Sequence, residues 1–151
     1  MVLFGHMKNV ALVTGASSGI GKEFAREHAK RGGDLIIVAR SIESLNDLKE
    51  ELEDKYKVVV RTIQKDLSVV GAGTELFEEI DAEGISVSML INNAGFGGVG
   101  LFTEQSWEQN NAMIQLNIVA LSELTRAFLP SLVKQKEGSI LNVSSTASLM
   151  P

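Results

Sequence analysis

The sequence predicts an α/β protein built as a doubly wound parallel sheet with helices on both faces. Three observations carry that prediction. Strand and helix signals alternate along the chain, as successive βα units do. The strand segments read as continuous apolar runs, as strands covered on both faces must. The first of them, Val10 to Val13, passes directly into a turn with glycines at 15, 19 and 21 that opens a helix.

That helix is expected from Gly19 to Arg31. It carries Ile20, Phe24 and His28 on one stripe with Ala25 and Ala29 beside it, and stops at Gly32-Gly33. Asp34 to Ala39 is a second buried strand. Ser41 is a fair N-cap for a charged helix reaching about Lys55, with Leu45, Leu48 and Leu52 spacing its apolar face. Lys57 to Gln64, rich in valine, is the third strand, and Asp66-Leu67-Ser68 leads into a helix over Thr74 to Ala82 with Leu76, Phe77 and Ile80 inward. Val87 to Asn92 is the fourth strand and ends in Asn92-Asn93-Ala94-Gly95, followed by a glycine-rich loop over Phe96 to Phe102. A helical region covers Ser106 to Lys134, and Ser139 to Val143 is the fifth strand, followed by Ser144-Ser145. Right-handed crossovers with a ligand loop after strand one give the order 3-2-1-4-5, with the switch point between strands 1 and 4. Gly15, Arg40, Asp66, Asn93 and Ser145 then all fall at carboxyl ends of strands, where an open sheet of this kind places its ligand.

The chain of 151 residues has room for one domain with a real core, and 44% hydrophobic with 22% charged residues excludes wholesale disorder. A formal charge of -5 and the lack of a dense Lys/Arg cluster argue against a nucleic-acid surface. Cysteine is absent, which excludes disulfides, thiolate chemistry and cysteine-ligated zinc, and with only His6 and His28 no histidine metal site is expected. No apolar run of membrane-spanning length is expected, and Met1 to Met7 lacks the basic start and long apolar core of a signal peptide. The default setting is therefore reducing and cytoplasmic.

The glycine loop is the chemical centre of the sequence. Its glycines let the backbone turn sharply and approach a ligand, and the N–H groups and dipole at the helix start favour an anion, most simply a pyrophosphate. The plainer alternative is a glycine turn of purely structural use. Two rival motifs overlap it. Gly15-Ala16-Ser17-Ser18-Gly19 matches the G-x-S-x-G of a hydrolase nucleophile elbow, but no histidine follows His28 to serve it. Gly21-Lys22 resembles the end of a Walker A loop, but Ala16 stands where its first glycine belongs and Glu23 where its Mg²⁺-binding hydroxyl belongs.

At the end of strand two a dinucleotide site normally presents an acid to the adenosine ribose; here Ala39 is followed by Arg40. A guanidinium offers a charge-assisted fork to a 2′-phosphate, so NADP(H) is favoured over NAD(H), with Ser17 or Ser18 adding a hydroxyl. The other reading of Arg40 is a solvated surface charge. Asp66 is suited to accept from an adenine amino group or to serve as a turn residue. The adjacent amides of Asn92 and Asn93 at a buried strand end must both be satisfied.

The blocks Thr14-Gly15-Ala16-Ser17-Ser18-Gly19-Ile20-Gly21, Ala39-Arg40, Asp66-Leu67, Asn92-Asn93-Ala94-Gly95, Asn117 and Asn142-Val143-Ser144-Ser145 together resemble the short-chain dehydrogenase/reductase family, from Thr14 to Ser145. The resemblance implies a Rossmann-type domain over 1–151 and NAD(P)-dependent hydride transfer to or from a carbonyl or alcohol. It implies that Gly15, Ser17, Ser18, Gly19, Ile20 and Gly21 hold the pyrophosphate, Asp66 and Leu67 the adenine, and Asn93, Ala94 and Gly95 the adenosine ribose. It implies that Asn117 holds the water of a proton relay, against the plainer reading of a satisfied core amide. Ser145, rather than its neighbour Ser144, matches the hydroxyl that bonds the substrate oxygen. It also implies that the 106–134 helical region forms a homo-oligomer interface.

One departure matters. The family's proton donor is the tyrosine of Y-x-x-x-K, about a dozen residues beyond the serine, where the lysine's charge lowers the phenol pKa. The chain ends six residues after Ser145, at Pro151, and its one tyrosine, Tyr56, is followed four residues on by Val60. The sequence is therefore expected to be the amino-terminal, cofactor-binding part of a reductase, truncated before that motif and lacking the last two strands. It is expected to be inactive alone; the alternative is a non-catalytic NADP(H)-binding or dimerising fragment.

Overall fold

A computed structural model describes residues 7–146; His6, most of the Met1 to Met7 segment and Pro151 lie outside the described residues. Five strands, β1 (Val10–Thr14), β2 (Leu35–Ala39), β3 (Val60–Gln64), β4 (Val87–Asn92) and β5 (Ser139–Asn142), form one sheet in the order 3-2-1-4-5. Every pairing is parallel, with Leu12 opposite both Ile36 and Leu90. The connections carry α1 (Gly19–Lys30), α2 (Ile42–Tyr56), α3 (Ala72–Ala82), α4 (Trp107–Ile114) and α5 (Leu121–Gln135).

Because side chains alternate along a strand, the continuous apolar runs divide into two cores. Leu12, Ile36, Val38 and Leu90 face α3 and α5, meeting Leu76, Ile80, Leu124 and Phe128. Ala11, Val13, Leu35 and Ile37 face α1 and α2, meeting Ala25, Ala29, Leu45, Leu48 and Leu52. The buried face of α1 is Gly21, Ala25 and Ala29, small residues that bring the helix close to the sheet. The expected stripe differs: Ile20 is 61% exposed, and Phe24 and His28 are only half-buried.

Element ends follow local chemistry. The side chain of Ser41 accepts the Ser44 N–H at 3.3 Å and so caps α2. The helix closes on Lys57, which takes a left-handed φ of 59° and donates its N–H to the Glu53 carbonyl at 3.1 Å. That turn is why β3 begins at Val60 rather than at Lys57. β2 begins at Leu35 because the buried Asp34 is a clamp: its carboxylate accepts the Lys8 N–H at 2.6 Å and the Val59 N–H at 2.8 Å, tying together the entrances to β1, β2 and β3. At the opposite edge the buried Thr14 hydroxyl donates to the Ile91 carbonyl at 3.3 Å and accepts the N–H groups of Asn93 and Ala94, both at 3.0 Å.

The expected helix over 106–134 starts from a Ser106 cap but is interrupted by a π-helical segment, Gln115–Ala120, between α4 and α5. At 29 residues, Trp107–Gln135 is long and apolar enough to cross a membrane by length and composition, which corrects the expectation of no such run. The reason is that Gln109 to Ser122 carries no charge. In this fold Leu124, Phe128 and Leu132 lay one side of the run on α3 and β4, while Ile118, Leu129 and Val133 are exposed on the other. The β5 edge is mixed, with Ser139, Leu141 and Asn142 exposed and Ile140 half-buried.

The two clamps generate a stability prediction. Asp34→Ala strands the N–H groups of Lys8 and Val59, and Thr14→Val strands those of Asn93 and Ala94. Each change is expected to cost about 2 kcal/mol, read as a lowered midpoint of urea unfolding; an unmoved midpoint would refute the clamp.

Candidate functional site

Between the carboxyl ends of β1, β2, β3 and β4 lies a cavity of about 450 Å³. Gly15, Ser17, Ser18, Ile20, Arg40, Asp66, Leu67, Asn93, Ala94 and Gly95 line it. These residues come from four different strand ends, and the parallel register is what brings them together. Gly19, Gly21, Asn117 and Ser145 stand outside the lining.

The glycine loop is shaped by close approach. Gly15 has φ 68°, and a Cβ there would come within 2.9 Å of the Ala94 Cα and of the Asn93 amide nitrogen. Gly21 is buried; a Cβ on it would collide with the Gly15 carbonyl and the Asn93 amide. Its service is therefore to packing and loop shape. Gly19 opens α1 with φ 54° and nothing near its Cα side. Ser18, extended at φ -158°, makes no side-chain capping bond, and the first turn of α1 holds no acid. The start of α1 therefore keeps its donors and positive dipole end for whatever enters beside Ser18 and Ile20. That cradle fits a pyrophosphate.

Arg40 is exposed on the rim, and the Gln64 side chain donates to its carbonyl at 2.9 Å. Asp66 combines both of its expected readings. Its Oδ1 accepts the Ser68 hydroxyl at 2.6 Å and the Ser68 N–H at 2.9 Å, a turn, while the residue still lines the cavity. Those two bonds, and the charge of Arg40 behind them, hold its carboxyl below the usual range.

The Asn93 amide nitrogen donates to the carbonyls of Thr14 at 2.9 Å and Gly15 at 3.3 Å, so this side chain locks β4 to the glycine loop. Asn92 departs from expectation. Its amide nitrogen donates to Thr125 Oγ1 at 3.1 Å and to Asn142 Oδ1 at 2.9 Å, but its buried Oδ1 has no partner among the described residues. Both donors are taken by helix and edge strand, and no N–H reaches the oxygen side.

Asn117 lies in the π-helical segment and is exposed, so the core-amide reading is corrected. Its Oδ1 accepts the Phe96 N–H at 3.2 Å and its Nδ2 donates to the Phe96 carbonyl at 2.9 Å, fastening the loop that follows β4. Ser145 is exposed just beyond β5. Tyr56 ends α2, close before β3 begins and so at the amino edge of the sheet, with the Lys55 ammonium 5.2 Å from its ring centroid. It is remote from the cavity.

Sequence reasoning missed Ser41, Lys65, Ser68, Phe96 and Leu116, which also line the cavity. Lys65, Ser68 and Phe96 are near neighbours of residues it did select, so adjacency to a strand end was the available signal. Leu116 is next to Asn117 in sequence but lies in the π-helical segment, far along the chain from any strand end, so that signal did not reach it. Among the described residues no group of three or more His, Asp or Glu side chains is placed to hold a metal ion.

The chain matches the short chain dehydrogenase family over residues 9–151. It is 33% identical over 151 residues to very-long-chain 3-oxoacyl-CoA reductase-B of Danio rerio, with 93% of this chain and 46% of the relative covered. The chain thus spans about half the length of the curated relatives it matches. Among solved structures, a short-chain dehydrogenase from Sphingobium yanoikuyae in complex with NADPH superposes with TM-score 0.87 at 36% identity, covering 95% of this chain and 56% of that one. The bulky-bulky ketone specific alcohol dehydrogenase from Comamonas testosteroni gives TM-score 0.88 at 35% identity, covering 95% and 57%. With its glycine loop, its 3-2-1-4-5 sheet and this match along nearly its whole length, the chain belongs to the short-chain dehydrogenase family.

Proposed function

We propose that this chain is the NADP(H)-binding part of an oxidoreductase that moves a hydride between the nicotinamide and a carbonyl or alcohol substrate. One observation carries the reading: the cavity joins the uncapped start of α1 to Arg40 within a single lining. An acid-free helix start answers a pyrophosphate, and a guanidinium at the end of β2 answers a 2′-phosphate, where a carboxylate would repel it. The NADPH complex of the Sphingobium yanoikuyae relative supports the same assignment.

In this reading Gly15, Ser17, Ser18, Gly19 and Ile20 form the pyrophosphate cradle, and Gly21, packed behind it, sets the shape of the loop. Leu67 offers an apolar surface and Asp66 an acceptor to adenine, and Asn93, Ala94 and Gly95 border the adenosine ribose. The nicotinamide, when bound, supplies or accepts the hydride. Ser145 hydrogen-bonds the substrate oxygen, and Asn117, while holding Phe96, carries a water for proton relay. A cytoplasmic setting belongs to the same proposal, as does a homo-oligomer through 106–134, where Ile118, Leu129 and Val133 are exposed. The substrates named for relatives, a 3-oxoacyl-CoA and bulky ketones, support a carbonyl substrate in this reading.

A second reading has one observation behind it. Tyr56, the only tyrosine of these 151 residues, sits at the edge of the sheet away from the cavity. These residues assayed alone are therefore expected to hold cofactor without turnover. Consumption of NADPH with a ketone substrate, followed by absorbance, would contradict this. Fluorescence titration tests the cofactor reading itself. The chain is expected to prefer NADPH over NADH, and Arg40→Ala to weaken NADPH by about tenfold while sparing NADH. Equal affinities before and after the change would refute it.

A further inference from the structure

The rim of the cavity carries a second cation, Lys65, beyond those the motifs single out. Its backbone N–H donates to the Ala39 carbonyl at 3.0 Å, while Gln64 donates to the Arg40 carbonyl at 2.9 Å. These bonds stitch the ends of β2 and β3, so Arg40 and Lys65 stand on adjacent strand ends and line the same cavity. The Lys65 side chain is 17% exposed, and its ammonium lies 3.3 Å from Glu75 Oε2 and 4.0 Å from Glu79 Oε2.

That pairing is weak on both sides. Glu75 is 66% exposed, where an ion pair contributes little. Glu79 is shared, because its other oxygen already pairs with Arg61 at 3.1 Å. A partly covered ammonium on a flexible four-carbon stem, loosely held at a cavity wall, is ready to exchange one anionic partner for a stronger one. Among the described residues Asp66 is the one carboxylate in the lining, and its Oδ1 already accepts both Ser68 bonds.

We propose that Lys65 is a cofactor-specificity residue that leaves Glu75 to contact the 2′-phosphate monoester of the adenosine ribose. Arg40 supplies the planar fork and Lys65 the point charge, and Glu75 is the counter-ion that holds the lysine between ligands. This rests on the NADP(H) reading of the cavity.

The test is a set of fluorescence titrations of the full chain with NADPH and NADH, with 2′,5′-ADP as competitor. Lys65→Met is expected to weaken NADPH and 2′,5′-ADP by about tenfold and leave NADH unchanged, and Lys65→Arg to keep most of the affinity. Glu75→Gln, at an exposed position that tolerates change, is expected to tighten NADPH by about threefold because the competing carboxylate is gone. It decides the matter if Lys65→Met fails to fold. Unchanged NADPH affinity in Lys65→Met, or equal loss for both cofactors, overturns the role of Lys65. If Arg40→Ala removes the preference while Lys65→Met does not, only this inference falls. If the unaltered chain shows no preference, the NADP(H) reading falls with it.

Discussion

The hydroxyl of Thr14 is the constraint on which the site depends. A threonine hydroxyl has one proton to donate and two lone pairs to accept with, and here all three are used, toward Ile91, Asn93 and Ala94. Those bonds hold β1 and β4 together where their ladder ends, at the switch point of the sheet. From there the chain must diverge in two directions, into the glycine loop and into Asn93-Ala94-Gly95. Asn93 adds a second lock by donating to the Thr14 and Gly15 carbonyls. The mouth of the cavity is thus set by a handful of buried bonds, while the mass of the core below it sets only where the sheet lies.

Small side chains do the complementary work. Gly21, Ala25 and Ala29 let α1 sit close to Ala11 and Val13, and that closeness brings the start of the helix to the strand ends. The opposite face of the sheet is filled by larger residues, with Leu76, Leu124 and Phe128 packed against Leu12 and Leu90, and with Phe77 and Phe128 meeting edge to face at 5.0 Å. A helix drawn in tightly on one side and thick packing on the other leave the positive end of α1 facing an open cavity.

Electrostatics runs against the chain as a whole. The formal charge is -5, yet the cavity lining contains Arg40 and Lys65 and a single acid, Asp66. Part of the acidic charge is spent elsewhere, on Arg26 through Glu23 and Glu51 and on Arg61 through Glu79 and Glu83. A local positive field in an acidic protein favours an anion at that place.

Most of the architecture was legible in the sequence. Continuous apolar runs, glycines after strand one and serine caps are local signals that specified five strands and the edge that holds the site, and right-handed crossovers gave their order. Two strand boundaries moved where a single residue intervened, the left-handed Lys57 and the Asp34 clamp. The cavity residues of the glycine loop, Arg40, Asp66-Leu67 and Asn93 to Gly95 were legible for the same reason, because each sits next to a strand end that the pattern locates. What only the tertiary structure decided depends on contacts across the fold. Ile20 looks like a core residue but faces out, because the small face of α1 takes the sheet. Asn117 looks like a core amide but is spent on Phe96, because a π-helical turn presents it to the loop. Among the described residues Asn92 has an oxygen without a partner, because helix and edge strand both claim its nitrogen. Leu116 reaches the cavity because a distant segment converges on it, and periodicity along one segment carries no record of what another segment brings.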